Sequence, residues 1–257
     1  MGTQESRNRS ALVSREFPGK VKHYFDQTDR WLVNNPTIPI RCRIVDDLVR
    51  CFLRNGNGLR ILDVGCGDAR VSLPFLDACA ALTLVDISQM MLDAARARVP
   101  LPLLGKVRFV EGDFLEVLPP EKWDLVICLG VMAHATSVAA AIRLLATSLT
   151  RSGILILQFT DAGHPVAWTY ARIQTLMRRF HPPPARGYTT NRTTLSQILA
   201  CANDGGLRVV ARKRYFDNFV FVSRLPQRVQ LGLFEFTYKS PLLQFMGSEN
   251  IVAFAGS

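Results

Sequence analysis

Short apolar runs alternate with helix-like segments through the middle of the chain. The five runs predicted as strands lie at 59–64, 81–86, 106–111, 123–129 and 153–159. The fourth, WDLVICL, is apolar on both faces, as a central parallel strand should be. Helical patterns follow Ser88 and Ser137, both good N-cap residues. Strands separated by helices predict an α/β fold, a Rossmann-like and mostly parallel sheet with helices on both faces.

The two flanks of the chain are predicted to be richer in helix. The helices are expected at 15–33, 41–54, 165–180 and 193–203, and two further strands at 207–215 and 250–255. We divide the chain, as one domain, into three segments. These are an N-terminal helical segment over the ligand site (1–54), a ligand-binding core (55–160), and a lid insertion with the last strands and an apolar, basic cap (161–257). In such sheets ligands bind at the carboxyl ends of the strands.

A glycine turn follows the first predicted strand and precedes a predicted helix. It reads Asp63-Val64-Gly65-Cys66-Gly67, and the two glycines let the backbone pass close beneath a ligand. A dinucleotide-binding fingerprint would require a third glycine where Arg70 stands. The acidic residue before the turn suits a cationic ligand better than a pyrophosphate, because two negative charges repel.

Two more acidic residues follow the next strands. Asp86 ends the second strand, where a carboxylate accepts hydrogen bonds from both hydroxyls of a ribose. Asp113 and Phe114 follow the third strand and offer a carboxylate for an adenine amino group and an aromatic wall. Together with the glycine turn, these residues predict one positively charged ligand that contains adenosine.

The same segments resemble a known family. ILDVGCGDAR, LVDIS, EGDF and WDLVICLGVMAH, in this order, resemble the motifs of class I S-adenosylmethionine-dependent methyltransferases over about residues 41–160. The resemblance implies a seven-stranded sheet with an antiparallel last strand, S-adenosyl-L-methionine as cofactor and S-adenosyl-L-homocysteine as product. The family usually has a third glycine where this chain has Ala69. One added methyl group is a small change, so we expect cofactor binding to be retained.

The resemblance also assigns roles to residues of this chain. Asp63, Gly65 and Gly67 would hold the methionine end of the cofactor, and Asp86 the ribose. The remaining cofactor residues implied by the resemblance are Ile87 packing on the adenine, Asp113 and Phe114 at its edge and face, and Leu129 lining the pocket.

Methyl transfer to a hydroxyl or an amine requires a proton to leave the acceptor, and a nearby base helps. His164, after the fifth strand, and His134, after the fourth, are the candidate bases, and each could equally be an ordinary loop histidine. Asp161 is expected to orient His164 or to contact the substrate. His23 and His181 have weaker positional arguments. The chain shows no spacing typical of metal ligands, so we predict no metal.

The insertion at 161–195 combines aromatic and arginine residues in the usual place of a substrate-covering lid. We therefore predict methylation of an O or N atom, less readily of a C atom, in a small and possibly anionic molecule such as a specialised metabolite, a sugar or a lipid precursor. Two alternatives stay open. The basic flanks would suit an RNA methyltransferase, although no Pro-Pro-aromatic motif follows the fourth strand and we do not expect a nucleic-acid partner. The second alternative is a module that binds the cofactor without catalysing a reaction.

Charge and cysteine content bear on location and partners. The formal charge is +10, and the basic excess lies in the two flanks. The apolar and basic segment 217–248 fits a peripheral membrane contact, a substrate cap or a dimer interface, so the chain is expected as a monomer or homodimer. No apolar run reaches eighteen residues, the first ten are polar, and the six cysteines form no C-x-x-C pair. These features predict a cytoplasmic protein.

Overall fold

The computed structural model describes residues 17–27, 37–52, 58–177, 188–215, 225–245 and 247–256. Within them lies a seven-stranded sheet in the order β3-β2-β1-β4-β5-β7-β6. The strands are β1 (Arg60–Val64), β2 (Ala81–Asp86), β3 (Val107–Glu111), β4 (Trp123–Cys128), β5 (Leu149–Thr160), β6 (Leu207–Tyr215) and β7 (Glu249–Gly256). Only β7 runs antiparallel to its neighbours β5 and β6. The predicted Rossmann-like, mostly parallel sheet is confirmed.

Helices cover both faces of this sheet. They are α1 (17–26), α2 (Thr37–Phe52), α3 (Gln89–Arg98), α4 (Phe114–Val117), α5 (Val138–Thr147), α6 (Pro165–Met177), α7 (Leu195–Asp204), α8 (Gln227–Lys239) and α9 (Pro241–Gln244). Ser88, Ser137 and Thr194 cap α3, α5 and α7 through their side-chain oxygens.

Two buried clusters lie on opposite faces of the sheet. On one face Ile40 and Ile44 of α2 pack against β-strand residues such as Ile127. On the other face Ile142 of α5 and Ile198 of α7 complete the second cluster. Burying each of these side chains contributes about 1.5–3 kcal/mol. The carboxyl ends of the parallel strands stay uncovered between these layers, which leaves room for a site.

The predicted boundaries were wrong in three places. Helix α2 begins at Thr37 instead of 41, because Pro39 is tolerated in the first helical turn. Strand β5 begins at Leu149 instead of 153, and Leu149 pairs with Trp123 of β4. The glycine turn leads into a short 3₁₀ turn, Leu73–Phe75, rather than a regular α-helix.

Some predictions fall on residues outside those that the structure describes. These are the predicted helix 15–33 outside residues 17–27, the ends of the predicted helices 41–54 and 165–180, residues 178–187 of the insertion with His181, and the start of the segment 217–248. The division of the chain at residues 54 and 160 stays a prediction. All six cysteines carry free thiols. In the described part of the chain no helix has the length and apolar character needed to cross a bilayer.

Candidate active site

A cavity of about 600 Å³ opens at the carboxyl ends of the parallel strands. Helix α1 contributes Val21 and Phe25 to its wall. All eight residues that the motifs assign to a cofactor line this cavity, namely Asp63, Gly65, Gly67, Asp86, Ile87, Asp113, Phe114 and Leu129. The structure thus brings together residues that are up to 66 positions apart in sequence.

The glycine turn forms the floor of the cavity. Gly65 and Gly67 have φ angles of 66° and 54°, in the left-handed region that favours glycine. A Cβ on Gly65 would lie 2.2 Å from Cγ2 of Val131, whereas a Cβ on Gly67 would meet nothing within 4 Å. Gly67 therefore leaves open space on the cavity side, where a ligand can approach the backbone closely.

Ala69 also adopts the left-handed conformation, with φ of 58°. This backbone angle explains why relatives of the family favour glycine here. The Ala69 methyl group is fully buried in the hydrophobic core and is not part of the cavity lining. The substitution thus strains the turn without occupying space in the cavity.

Asp63 is the last but one residue of β1 and is only 3% exposed. Its Oδ2 atom has no hydrogen-bond partner among the residues that the structure describes. Burial raises the pKa of its carboxyl from 3.8 to about 7, against the opposing effect of a hydrogen bond with Ser72. A buried acceptor without a donor, at the wall of a cavity, suits a ligand ammonium group.

Asp86 ends β2 with its carboxylate fixed by the backbone. Oδ2 accepts from the Gly67 amide at 2.8 Å, and Oδ1 accepts from the Ser88 amide at 2.9 Å. Burial raises the pKa of Asp86, while these backbone hydrogen bonds oppose the rise. Each carboxylate oxygen has a second lone pair, so the pair can accept from two neighbouring hydroxyls.

Asp113 and Phe114 lie at the far side of the cavity from Asp63. The Asp113 side chain caps α4 by accepting from the Leu115 amide at 3.1 Å, and burial raises its pKa. Phe114 is buried and, with Ile87 and Met91, supplies an apolar wall for a flat ring.

Three contacts hold α1 over the ends of β2 and β3. Lys22 pairs with Glu111 and donates to the Ile87 carbonyl oxygen. The Ser88 hydroxyl donates to Asp26 at 2.6 Å. The first described helix therefore lies over the same end of the cavity that Asp86 lines.

His134 lines the cavity just beyond β4. Its Nδ1 atom lies 3.0 Å from the Tyr188 hydroxyl, and its ring meets Phe25 edge to face at 5.3 Å between centroids. These contacts fix the orientation of the imidazole at the wall of the cavity.

His164 and Asp161 lie outside the cavity lining. The His164 ring is held by the Phe245 carbonyl oxygen, 2.8 Å from Nε2, and by the Val166 amide, which donates to Nδ1 at 3.3 Å. The Asp161 carboxylate accepts from the amides of Gly163 and Leu195, not from that ring. The expectation that Asp161 orients the His164 imidazole is therefore wrong, and a catalytic role for either residue stays a prediction.

Sequence reasoning missed part of the cavity wall. Gln158 and Glu249 line it although both are buried. A glutamine within the apolar strand run ILILQF was the available signal. Arg41, Arg70 and Arg192 line it as well, and Arg70 is paired with Asp68.

The polar groups of the cavity fit an organic cation. Within the described ranges no group of three or more His, Cys, Asp or Glu side chains is placed to hold a metal ion. The orphaned oxygen of Asp63, the open space above Gly67 and the fixed carboxylate of Asp86 together fit the group that the motifs imply, S-adenosylmethionine.

Comparison with known proteins agrees with this geometry. A sequence model of the family described as "Methyltransferase domain" matches residues 61–153. The ubiquinone biosynthesis O-methyltransferase of Rhodopseudomonas palustris (strain HaA2) is 29% identical over 143 residues, which cover 52% of this chain and 55% of that protein. The magnesium-protoporphyrin O-methyltransferase of Synechocystis sp. is 33% identical over 130 residues, which cover 44% and 56%. The chain thus spans about half the length of the curated relatives it matches.

The fold matches solved structures over a longer stretch. The crystal structure of magnesium protoporphyrin IX methyltransferase from Synechocystis PCC 6803 with bound SAH superposes with a TM-score of 0.65 at 22% identity, covering 94% of this chain and all of that chain. A methyltransferase from Thiobacillus denitrificans gives a TM-score of 0.57 at 21% identity over 92% of this chain. Residues 61–153 therefore match a methyltransferase-domain family, and the fold of the chain is that of S-adenosylmethionine-dependent methyltransferases, as its motifs predict.

Proposed function

We propose that this protein binds S-adenosylmethionine and transfers its methyl group to an oxygen atom of a small molecule. The observation that carries the proposal is the buried carboxylate of Asp63, which has an oxygen without a partner in the described part of the chain and lies beside the open glycine turn. The names of the relatives, O-methyltransferases of ubiquinone biosynthesis and of magnesium protoporphyrin, support an oxygen acceptor in a small molecule.

The residues of the cavity divide the work of binding. Asp63 accepts from the ammonium group of the cofactor, and Asp86 accepts from the ribose hydroxyls. Asp113 and Phe114 bind the adenine edge and face. S-adenosylmethionine, when bound, supplies a methyl group already activated on a sulfonium. The protein therefore has to position the acceptor and keep water away.

His134 is the candidate for moving the acceptor's proton. In the tautomer that carries a proton on Nδ1, that nitrogen donates to the Tyr188 hydroxyl, which leaves Nε2 as the basic atom. The contact with Phe25 holds the ring in place, so this basic atom has a fixed position. Arg41 and Arg192, at the same cavity wall, favour an acceptor with an anionic part.

Calorimetry with S-adenosylmethionine tests the binding step. Truncating Asp86 to alanine removes an acceptor of two hydroxyl hydrogen bonds and should weaken binding by about 2–3 kcal/mol. The matched control is Asp204→Ala, an exposed carboxylate at the end of α7. Unchanged affinity in Asp86→Ala would contradict the proposal.

Isotope transfer tests the reaction. The protein is incubated with a methyl-labelled donor and, separately, with metabolite extract, protein and RNA pools, and the products are identified by mass spectrometry. We expect label in an oxygen-linked methyl group of a small molecule. Label in RNA alone would favour the nucleic-acid alternative, and the absence of transfer with intact cofactor binding would favour a non-catalytic module.

A specific surface supports peripheral membrane contact as a second property. Val229, Leu233 and Phe236 of α8 are all exposed, Phe236 to 65%, and their spacing puts them on one helix face. Arg228 and Lys239 lie at the two ends of the helix and add positive charge. We expect flotation with anionic vesicles at low salt that is reduced at high salt and in Phe236→Ser. Equal flotation of the variant would exclude this helix face as the contact.

A further inference from the structure

A group of polar side chains lies at the opposite end of the cavity from Asp86. Thr160 of β5, Glu249 of β7 and Tyr215 of β6 are direct neighbours in register across three strands, and Gln158 lies two residues before Thr160 on the same face. We call these four residues the β5–β7 polar cluster. Gln158 is 1% exposed and Glu249 is 5% exposed, and both line the cavity.

The hydrogen bonds within the β5–β7 polar cluster do not supply a donor to every acceptor atom of the cluster. The Gln158 amide nitrogen donates at 2.9 Å to Glu249 Oε2 and at 2.9 Å to the Tyr215 hydroxyl, which uses both of its protons. The Thr160 hydroxyl donates to Glu249 Oε1 at 2.5 Å. Gln158 Oε1 is buried and has no hydrogen-bond partner among the residues that the structure describes. An amide oxygen and a carboxylate therefore stand side by side with unused lone pairs.

No cationic side chain in the described part of the chain forms an ion pair with Glu249. None of the ion pairs found there includes Glu249. Its two hydrogen-bond donors, the Gln158 amide and the Thr160 hydroxyl, are neutral. Arg41 approaches the cluster through its contact with the Tyr215 hydroxyl at 3.4 Å. Buried acceptors without donors are costly and gain most when a ligand supplies the missing protons.

The sheet order places this cluster on the opposite side of β1 from Asp86 and Asp113. Asp63 pairs with Ile127 of β4, and Ile127 pairs with Ile156 of β5. Gln158 therefore lies two strands away from Asp63 and two residues further along β5. With about 4.8 Å between strands and about 3.3 Å per residue, the Cα atoms of Asp63 and Gln158 are about 12 Å apart. Asp86 and Asp113 follow β2 and β3 on the other side of β1.

We propose that Gln158 and Glu249 bind a hydroxyl group of the methyl acceptor, so that the acceptor is a phenol or an alcohol and not a carboxylate. This inference rests on the proposed function and deepens it. A hydroxyl donates the proton that Gln158 Oε1 and the Glu249 carboxylate lack. A carboxylate acceptor has no proton to donate at neutral pH and is repelled by the Glu249 charge. The β5–β7 polar cluster is thus a specificity site that binds an acceptor with a hydroxyl group in preference to one with a carboxylate.

Catechol and benzoate, two rings of similar size, are the probes. Each is titrated by calorimetry into the free protein and into the protein loaded with S-adenosylhomocysteine. We expect wild type to bind catechol at least 10-fold more tightly than benzoate. In Glu249→Gln this preference should fall at least 10-fold, because the charge is lost and the new amide satisfies Gln158. Glu121→Gln makes the same chemical change at an exposed ion pair with Arg60, at the start of β1, and should behave as wild type.

Gln158→Met provides a second variant that removes the unpaired oxygen and retains side-chain volume. We expect it to lose catechol affinity as well, with S-adenosylhomocysteine affinity unchanged in both cluster variants. Equal, reversed or undetectable binding of the probes by wild type would overturn the inference, as would a preference that both variants retain. Failure of wild type to bind S-adenosylhomocysteine would instead overturn the proposed function.

Discussion

Replacing Asp63 with asparagine should stabilise the protein in the absence of cofactor while weakening cofactor binding. The ionised carboxylate is buried without a partner for Oδ2, and the carboxyl pKa is raised from 3.8 to about 7. The folded state therefore binds the Asp63 proton more tightly than the unfolded chain does. The contribution of this proton to the free energy of unfolding is fully present at low pH and is lost as pH rises from 3.8 to about 7. Asparagine keeps the shape and removes the charge.

The size of the effect follows from the pKa difference. Each pH unit between the unfolded and folded pKa values changes the free energy of unfolding by about 1.4 kcal/mol. The substitution should therefore stabilise the protein by about 2 kcal/mol at pH 5.5 and by about 4 kcal/mol at pH 8. The gain grows with pH because only the wild type ionises at this position.

Urea unfolding of the cofactor-free protein at pH 5.5 and 8 measures this difference. Asp204→Asn, at an exposed position of α7, controls for the change of one carboxylate to an amide. Calorimetry should then show that Asp63→Asn binds S-adenosylmethionine at least 10-fold more weakly, since the acceptor for its ammonium has lost its charge. Wild type and Asp63→Asn with the same stability at both pH values would refute the reasoning.

Three further substitutions probe the base and the turn. His134→Ala should lower turnover by about 10²–10⁴-fold, whereas His164→Ala should keep most of it, and a reversed order in steady-state kinetics would restore His164 as the base. Gly65→Ala should destabilise the protein in thermal unfolding more than Gly67→Ala, because its Cβ meets Val131, while Gly67→Ala should mainly weaken cofactor binding in calorimetry. Equal effects of the two glycine substitutions on both measurements would contradict this assignment. Ala69→Gly should change stability by less than about 1 kcal/mol, since relieved strain and added chain entropy oppose each other, and a larger loss would show that the methyl packing dominates.

The meeting of three carboxylates at one cavity could be predicted because its signals are local. Asp63, Asp86 and Asp113 each follow or end an apolar run, and the carboxyl ends of parallel strands meet at one edge of the sheet. No knowledge of distant pairing was needed beyond the order of the elements. The placement of all three at one cavity is therefore a consequence of strand alternation itself.

The acceptor side could not be predicted in the same way. Gln158 and Glu249 are separated by 91 positions and meet only because β7 inserts antiparallel between β5 and β6 in one register. A shift of one residue would turn Glu249 to the other face. His164 is close in sequence to the end of β5, but this does not determine where its ring lies. The ring is held by the carbonyl oxygen of Phe245, which is distant in sequence.

The position of β7 has a consequence for the order in which the molecule assembles. Strands β1 to β4 pair within a span of 69 residues, from Arg60 to Cys128, and carry the cofactor carboxylates. The β5–β7 pairing closes a loop of about 90 residues and has to wait for the last strand in the sequence, because long loops form contacts slowly. During synthesis on the ribosome, the β1–β4 part of the sheet emerges first, and the other part is completed only when β7 pairs with β5 and with the edge strand β6.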